Sequence, residues 1–403
     1  MKAVGVIVEY NPFHNGHAHH LQESRKAAEA DIVIAVISGP FLQRGEPALV
    51  SKWARTAMAL QAGADLVIEL PYAFATQKAE IFARGAVSIL EELRCESFCF
   101  GSENGRIEPF IRTYAYMQTH KVEYNYAIQT YMNEGNSYPK AASLAFQSIS
   151  SGLDVLDLSK PNNILGMEYV HTALSNHFSI TPLTIKRIQA GYHETELKAG
   201  SIASATGIRK ALQEQGENLS TVSGFLPEST SKELAAYKRE NGSLHWWEMY
   251  WPYLKFILLS ASAEQLEQIY DIEEGIHHRM KEAAIKSAAF QDYMLSLKTK
   301  RYTWTRLQRM CVHILTNSTG NELQPLQDRP SYLRLLGMTQ NGRTYLNDLK
   351  KKLTLPLVSR LASFQSPSIQ PDIRASQVYA MGLKEPFRTT LMKREYEPPI
   401  IMT

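Results

Sequence analysis

The chain has 403 residues, 44% of them hydrophobic, and a formal net charge of +3, so it can bury a large core and is longer than one typical domain. No uninterrupted apolar run reaches membrane-spanning length, and the N-terminal residues lack the basic flank and cleavable apolar stretch of a leader, which predicts a cytoplasmic protein with no membrane partner. Cys95, Cys99 and Cys311 supply neither a disulfide framework nor the second pair that zinc requires, and they read as reduced packing residues.

Ala3 to Val8 is short, β-branched and uncharged, as a strand buried on both faces should be, and Pro12 ends its ladder. The chain then reads Glu9-Tyr10-Asn11-Pro12-Phe13-His14-Asn15-Gly16-His17, and helical spacing runs from His17 to Ala30. His14 and His17 therefore fall at a strand-to-helix turn, where backbone N–H groups and the helix dipole favour phosphate and Gly16 permits close approach. Two imidazoles beside a triphosphate can donate to oxygens that gain charge as the α-phosphorus is attacked. Neither a Walker G-x-x-x-x-G-K-[ST] nor a G-x-G-x-x-G cradle occurs. A turn bearing two surface histidines is the competing reading of H-x-G-H taken alone.

The alternation continues with a strand at 32–37, a helix at 51–62, a strand at 65–69, a helix at 78–93 and a strand at 97–100. A mostly helical insertion from Asn104 to Ser159 precedes a further strand from Ile180 to Arg187. This predicts an α/β fold, a parallel sheet covered by helices, with ligands beyond the carboxyl ends of its strands. His14, Gly39, Gly101, Arg187 and Ser204 all fall at such ends. Ile202 to Arg209 opens a helix running to about Gln215, and its Ser204, Thr206 and Arg209 suit β- and γ-phosphates; an ordinary helix start capped by Ser204 or Thr206 is the alternative. Lys52 and Arg55 are further phosphate candidates.

Near Phe225 the texture changes, and helical periodicity follows in Trp246 to Ala261 and Ala263 to Gly275. Two domains are expected, residues 1–225 and a mainly α-helical 226–403, with Tyr396 to Met402 as an extended tail packed back on the body. Between Arg279 and Arg360 fifteen Lys and Arg stand against five acids, the footprint of a polyanion partner. Lys298, Lys300, Arg301, Arg306 and Arg309 offer cations for RNA phosphates, with Tyr302 and Trp304 available for stacking; an amphipathic helix with a solvated basic face reads equally well. Gln43, Arg44 and Glu46 lie in a Gly/Pro-bounded loop that is either a lid, an RNA contact or plain solvated loop.

The H-x-G-H turn together with Ile202 to Arg209 resembles the nucleotidyltransferase superfamily, which joins such a turn to a later I-S-S-T-x-x-R-like segment. Asn11 stands where that superfamily often has aspartate, and Ala205 replaces one serine. Ser38 to Ala48, Gly63 to Pro71, Phe100 to Glu103 and Lys160 to Gly166 narrow the resemblance to the bacterial tRNA(Met) cytidine acetate ligase family over the whole length. That resemblance implies a Rossmann-like nucleotidyltransferase domain that activates acetate with ATP as acetyl-adenylate. The acetyl group then passes to N4 of the wobble cytidine of elongator tRNA(Met). It implies catalytic roles for His14, His17 and Arg209. It also implies an ATP site formed by Ile7, Val8, Glu9, Tyr10, Asn11, Pro12, Phe13, His14, Asn15, Gly16, His17, His20, Gly101, Asn162, Arg187, Ile188, Ser204 and Thr206. Mg²⁺ would come with the nucleotide, without protein ligands of its own. Two other functions fit the residues: an adenylyltransferase acting on a small phosphorylated coenzyme precursor, and a tRNA-binding protein that keeps the nucleotide fold without catalysis.

Overall fold

Uncharged β-branched runs alternate with amphipathic helices in the first hundred residues, and a computed structural model, which describes residues 1–150, 155–187 and 203–402, shows the sheet they make. Its strands are β1 (Ala3–Val8), β2 (Ile32–Ser38), β3 (Leu66–Leu70), β4 (Ser97–Ser102), β5 (Thr181–Lys186), β6 (Leu333–Thr339), β7 (Leu357–Val358) and β8 (Ile400–Met402). The order is β5-β4-β1-β2-β3-β6-β7, with β8 also on β6. The first five strands are mutually parallel, β6 runs antiparallel to β3, and β7 and β8 lie parallel to β6. Every residue of β2 and β3 is buried, which is why these strands are apolar throughout rather than alternating.

The two faces carry separate cores. Ile32, Ile34 and Val36 of β2 point into one, shared with the helices Ala79–Glu92 and Pro161–Ser175; Val33, Ala35 and Ile37 point into the other, shared with the helices Asn15–Ala27, Lys52–Gln61 and Ala205–Glu214. Gly166 lets the Pro161–Ser175 helix sit directly on β4, because a Cβ there would lie 2.2 Å from the Phe100 ring. The first core also takes in Leu254, Met280, Met294 and Met310 from the helical half. The change of texture at Phe225 is therefore a change in helix content within a shared core.

The five parallel strands fall within one or two residues of their expected bounds. The insertion folds as the helices Glu108–Thr119, Lys121–Asn133 and Tyr138–Ile149. The chain after 226 is mostly helical, yet it also supplies β6, β7 and β8, and β8 is the end of the expected tail. The helix expected over 263–275 stops at Glu267, and Asp271, Glu274 and Gly275 further along take positive φ, which rules out a continuous helix to 275. None of the helices among the described residues is long and apolar enough to cross a membrane.

Candidate active site

The carboxyl end of β1 leads through Tyr10, at φ +53°, into a turn in which the two histidines brace each other. His14 is the N-cap of the Asn15–Ala27 helix; its Nδ1 accepts the Gly16 N–H at 3.0 Å, while the Nδ1 of His17 accepts the His14 N–H at 3.3 Å. The rings stack at 3.8 Å between centroids, and Tyr10 and Phe13 pack on His17 at 4.9 and 5.6 Å. An Nδ1 that accepts a backbone N–H puts the proton of a neutral imidazole on Nε2. Burial, reinforced by the Arg187 charge, pushes His14 down to about 4. Burial, then the neighbouring His14, His20 and Arg187, holds His17 well below its ordinary value, against a rise from the Pro12 carbonyl. His20, also pushed down to about 4 by burial and then Arg187, has an Nε2 without a partner. His14 thus presents a neutral ring that can donate through Nε2–H.

The mouth around this turn is built from backbone and buried charge. Arg55, fully buried, donates to the carbonyls of Glu9 at 2.8 Å, Ser38 at 2.9 Å, Gly39 at 2.6 Å and Val50 at 3.2 Å. It ties the ends of β1 and β2 together, with four of its five N–H donors committed to backbone carbonyls. Lys52 is likewise committed, held at 2.7 Å by both Glu69 and Glu395. These two phosphate candidates are structural. Asn11, where an aspartate is common in the resembled superfamily, accepts the Leu49 N–H at 2.7 Å through its side chain. It anchors the segment after β2.

That segment is a short hairpin. Phe41 and Pro47 form an antiparallel bridge, and Leu42 N bonds Glu46 O at 2.9 Å. Gly45 has φ +75°, and a Cβ there would lie 2.3 Å from the Arg309 nitrogen, so only glycine admits the helix Trp304–Leu315 this close. The Gln43 N–H reaches Glu9 Oε1 at 2.7 Å, and Trp247 Nε1 reaches Gly45 O at 3.1 Å. Arg209 completes the ring of contacts, donating to Asn11 O at 2.8 Å and to Glu46 Oε2 at 2.8 Å. In sequence Glu46 reads as part of a lid, an RNA contact or a solvated loop; its pairing with the motif arginine across 163 positions has no local signal.

On the other side, Gly101 at the end of β4 would place a Cβ 3.0 Å from Arg187 Cγ, so the arginine stem crosses the glycine towards the histidines whose basicity it lowers. Asn162 and Asn163 start the Pro161–Ser175 helix by donating backbone N–H groups to Glu103 at 3.2 and 2.8 Å, and Asn162 Nδ2 adds a bond at 2.6 Å. The asparagine is thus part of a carboxylate cap. Ser204 is the N-cap of Ala205–Glu214, accepting the Gly207 N–H at 3.1 Å, and Thr206 is exposed beside it. Ile7 and Val8 end β1 as packing residues. Ile188 lies outside the described residues. Among those described, no group of three or more His, Cys, Asp or Glu is arranged to hold a metal ion.

The 298–309 segment differs from its expected role. Tyr302 is 7% exposed and its hydroxyl donates to Glu274 at 3.0 Å, so its ring is not offered to a base. Arg301 pairs with Glu274, and Arg306 with Asp271 and Glu273; those acids lie just upstream of the basic stretch from Arg279 to Arg360. Trp304 is partly buried against the core, and Arg309 is half-buried against the Gly45 hairpin. Lys298 and Lys300 are exposed. Lys350, Lys351 and Lys352 follow the Gln340–Leu349 helix, whose Gly342 packs on Asp65 at the foot of β3 and whose Tyr345 bonds Leu93 O at 2.7 Å. They belong to the end of the sheet remote from His14.

Strand-end histidines on a parallel sheet, facing a second helix start with its arginine, define a nucleotidyl transferase of the H-x-G-H type, and the profile of the HIGH Nucleotidyl Transferase family matches residues 1–394. The chain is 52% identical over 400 residues to the tRNA(Met) cytidine acetate ligase of Bacillus subtilis (strain 168), covering 98% of this chain and 96% of that protein. It is 50% identical to the protein of the same name from Geobacillus sp. (strain WCH70), covering 100% of each. The crystal structure of Thermotoga maritima TmcAL bound with alpha-thio ATP superposes with a TM-score of 0.90 at 32% identity over 100% of both chains, and its apo form with 0.91. The chain belongs to the tRNA(Met) cytidine acetate ligase family and is a ligase.

Proposed function

We propose that the mouth of the sheet activates acetate with ATP as acetyl-adenylate, releasing pyrophosphate, and that the acetyl group then passes to N4 of the wobble cytidine of elongator tRNA(Met), in the cytoplasm. The observation that carries the reading is the bond from the Gly16 N–H to His14 Nδ1, which leaves a neutral Nε2–H donor on His14 at a helix N-terminus. Acetate, whose carboxyl group titrates near ~4 to 5 in water, is ionised at neutral pH and needs no base. Rate must come from the ATP side. Donors fixed before charge develops on the α-phosphate oxygens are worth far more than mobile water. Arg209, with Ser204 and Thr206 at the neighbouring helix start, receives the departing pyrophosphate; Glu46 gives up the guanidinium when phosphate arrives.

Mg²⁺ bound to the phosphates would neutralise part of their charge. Glu103 caps the asparagines and one oxygen of Glu9 holds the Gln43 N–H, so the nucleotide is the expected carrier of the ion. The second step depends on the acceptor: N4 of cytosine is a weak nucleophile, so an activated acyl donor and correct positioning supply the rate. A wobble base is single-stranded and can be splayed into a pocket at modest cost. ATP–pyrophosphate exchange tests the first step. Exchange that requires acetate is expected; exchange indifferent to acetate would point to a phosphorylated-precursor adenylyltransferase instead and overturn the reading.

A further inference from the structure

Glu9 is the first residue beyond β1, and no part of the activation chemistry above uses its side chain. Oε1 accepts the Gln43 N–H at 2.7 Å, its own carbonyl is held by Arg55, and Oε2 makes no hydrogen bond among the described residues. Arg44, at the tip of the hairpin, is exposed and has no hydrogen bond or ion pair from its guanidinium among the described residues. The hairpin beneath it is fixed by Gln77, Glu9, Arg209 and Trp247, so the cation is presented from a rigid turn. Arg44 is near enough to Glu9 to favour its charged form, and near enough to Arg187 to disfavour that of the arginine, while Arg187 acts on His14. The four residues share one mouth. The groups acting on Glu9 are Arg44 and Glu46 of the hairpin and Arg55 of the following helix; Glu9 in turn acts on Tyr169 of the Pro161–Ser175 helix.

Cytosine offers an N4 amine as donor at one end of its pairing edge and the acceptors N3 and O2 beside it. A carboxylate with a free oxygen, flanked by a guanidinium that is not bonded to it, is the complement of that edge. Building on the proposed function, we propose that Glu9 and Arg44 form the cytosine subsite: Arg44 donates to the N3/O2 side, and Glu9 Oε2 accepts the N4–H and removes its proton. As the N4 lone pair forms the C–N bond to the acetyl carbon, the bond from that carbon to the AMP phosphate oxygen breaks. AMP leaves with the electron pair, and the proton from N4 ends on Glu9. Burial raises the carboxyl above its usual range, which strengthens it as a base.

Glu9→Gln keeps a carbonyl for the Gln43 N–H and removes the base. Single-turnover transfer from preformed acetyl-adenylate to tRNA is expected to fall about 100-fold, the low end for a positioned base, and at least tenfold more than acetate-dependent pyrophosphate exchange falls. Arg44→Ala, on an exposed residue that cannot disturb the fold, raises the tRNA KM about tenfold, the low end for a guanidinium contact to a base edge. Equal losses in both half-reactions for Glu9→Gln, or unchanged transfer, overturn the assignment of Glu9, and an unchanged KM for Arg44→Ala overturns that of Arg44. Exchange that ignores acetate in the unmodified enzyme would overturn the acetyl-adenylate reading itself, which is a separate result.

Discussion

At the mouth of the sheet Arg55 is bonded wholly to backbone carbonyls, and Arg44 and Arg187 have no ion-pair partner among the described residues. In the 298–309 segment Arg301 and Arg306 are paired with Glu274, Asp271 and Glu273. Both regions are rich in cations, but those without an acid partner among the described residues differ in place: Arg44 and Arg187 sit at the mouth by the histidines, whereas in the 298–309 segment they include the exposed Lys298 and Lys300. Counting arginines along a sequence measures neither, because acids between 271 and 274 neutralise cations some thirty positions later. The difference teaches that the charge relevant to RNA is set by pairing in space.

The sharpest way to break this comparison is at the histidines. His14→Ala removes a fixed donor and is expected to lower acetate-dependent exchange by about 100- to 1,000-fold, with the loss of the cap costing about 1 kcal/mol of stability; exchange within tenfold of normal would remove His14 from the mechanism. Arg55→Lys is next. It strands buried carbonyls of Glu9, Ser38 and Gly39, each worth about 1 to 3 kcal/mol when left unsatisfied, and a denaturant midpoint that does not move would show that the clamp is dispensable.

A third test concerns protonation. In the unfolded chain the His14 ring takes up a proton near ~6.5, whereas in the folded protein it stays neutral until about 4. The unfolded state therefore binds more protons in that window, and this histidine subtracts stability as pH falls from ~6.5 towards 4, by up to ~1.4 kcal/mol per pH unit. His14→Asn, which can still cap the helix, should lose that slope, so the stability of the variant should gain on the unmodified protein as pH falls. Parallel pH curves would contradict a neutral buried ring. The smallest effects belong to the paired cations: Arg301→Ala and Arg306→Ala should change the tRNA KM less than about twofold, as both guanidinium groups are already engaged by acids. A change matching that of Arg44→Ala would erase the contrast between the regions.

The parallel strands were legible because each is an unbroken apolar run between turn signals, and the histidine turn because its residues are contiguous. β6 was hidden by Arg334 and Gly337 within it; the arginine is 2% exposed and bonds the carbonyls of Val358 and Glu395 at 3.4 and 2.9 Å, partners no window contains. In sequence Arg55 reads as a phosphate candidate rather than a clamp, since its acceptors are main-chain atoms, most of them on other elements. Tyr302 looked available for stacking because its partner Glu274 is 28 positions away. Local pattern thus found the groups that act through backbone geometry and missed those defined by distant partners.

The most direct measurement is mass spectrometry of tRNA(Met) after incubation with the protein, ATP and isotopically labelled acetate. The account predicts N4-acetylcytidine at the wobble position carrying the acetate label, dependent on ATP and lost with His14→Ala. Absence of labelled acetylcytidine, or label that appears without ATP, would contradict it.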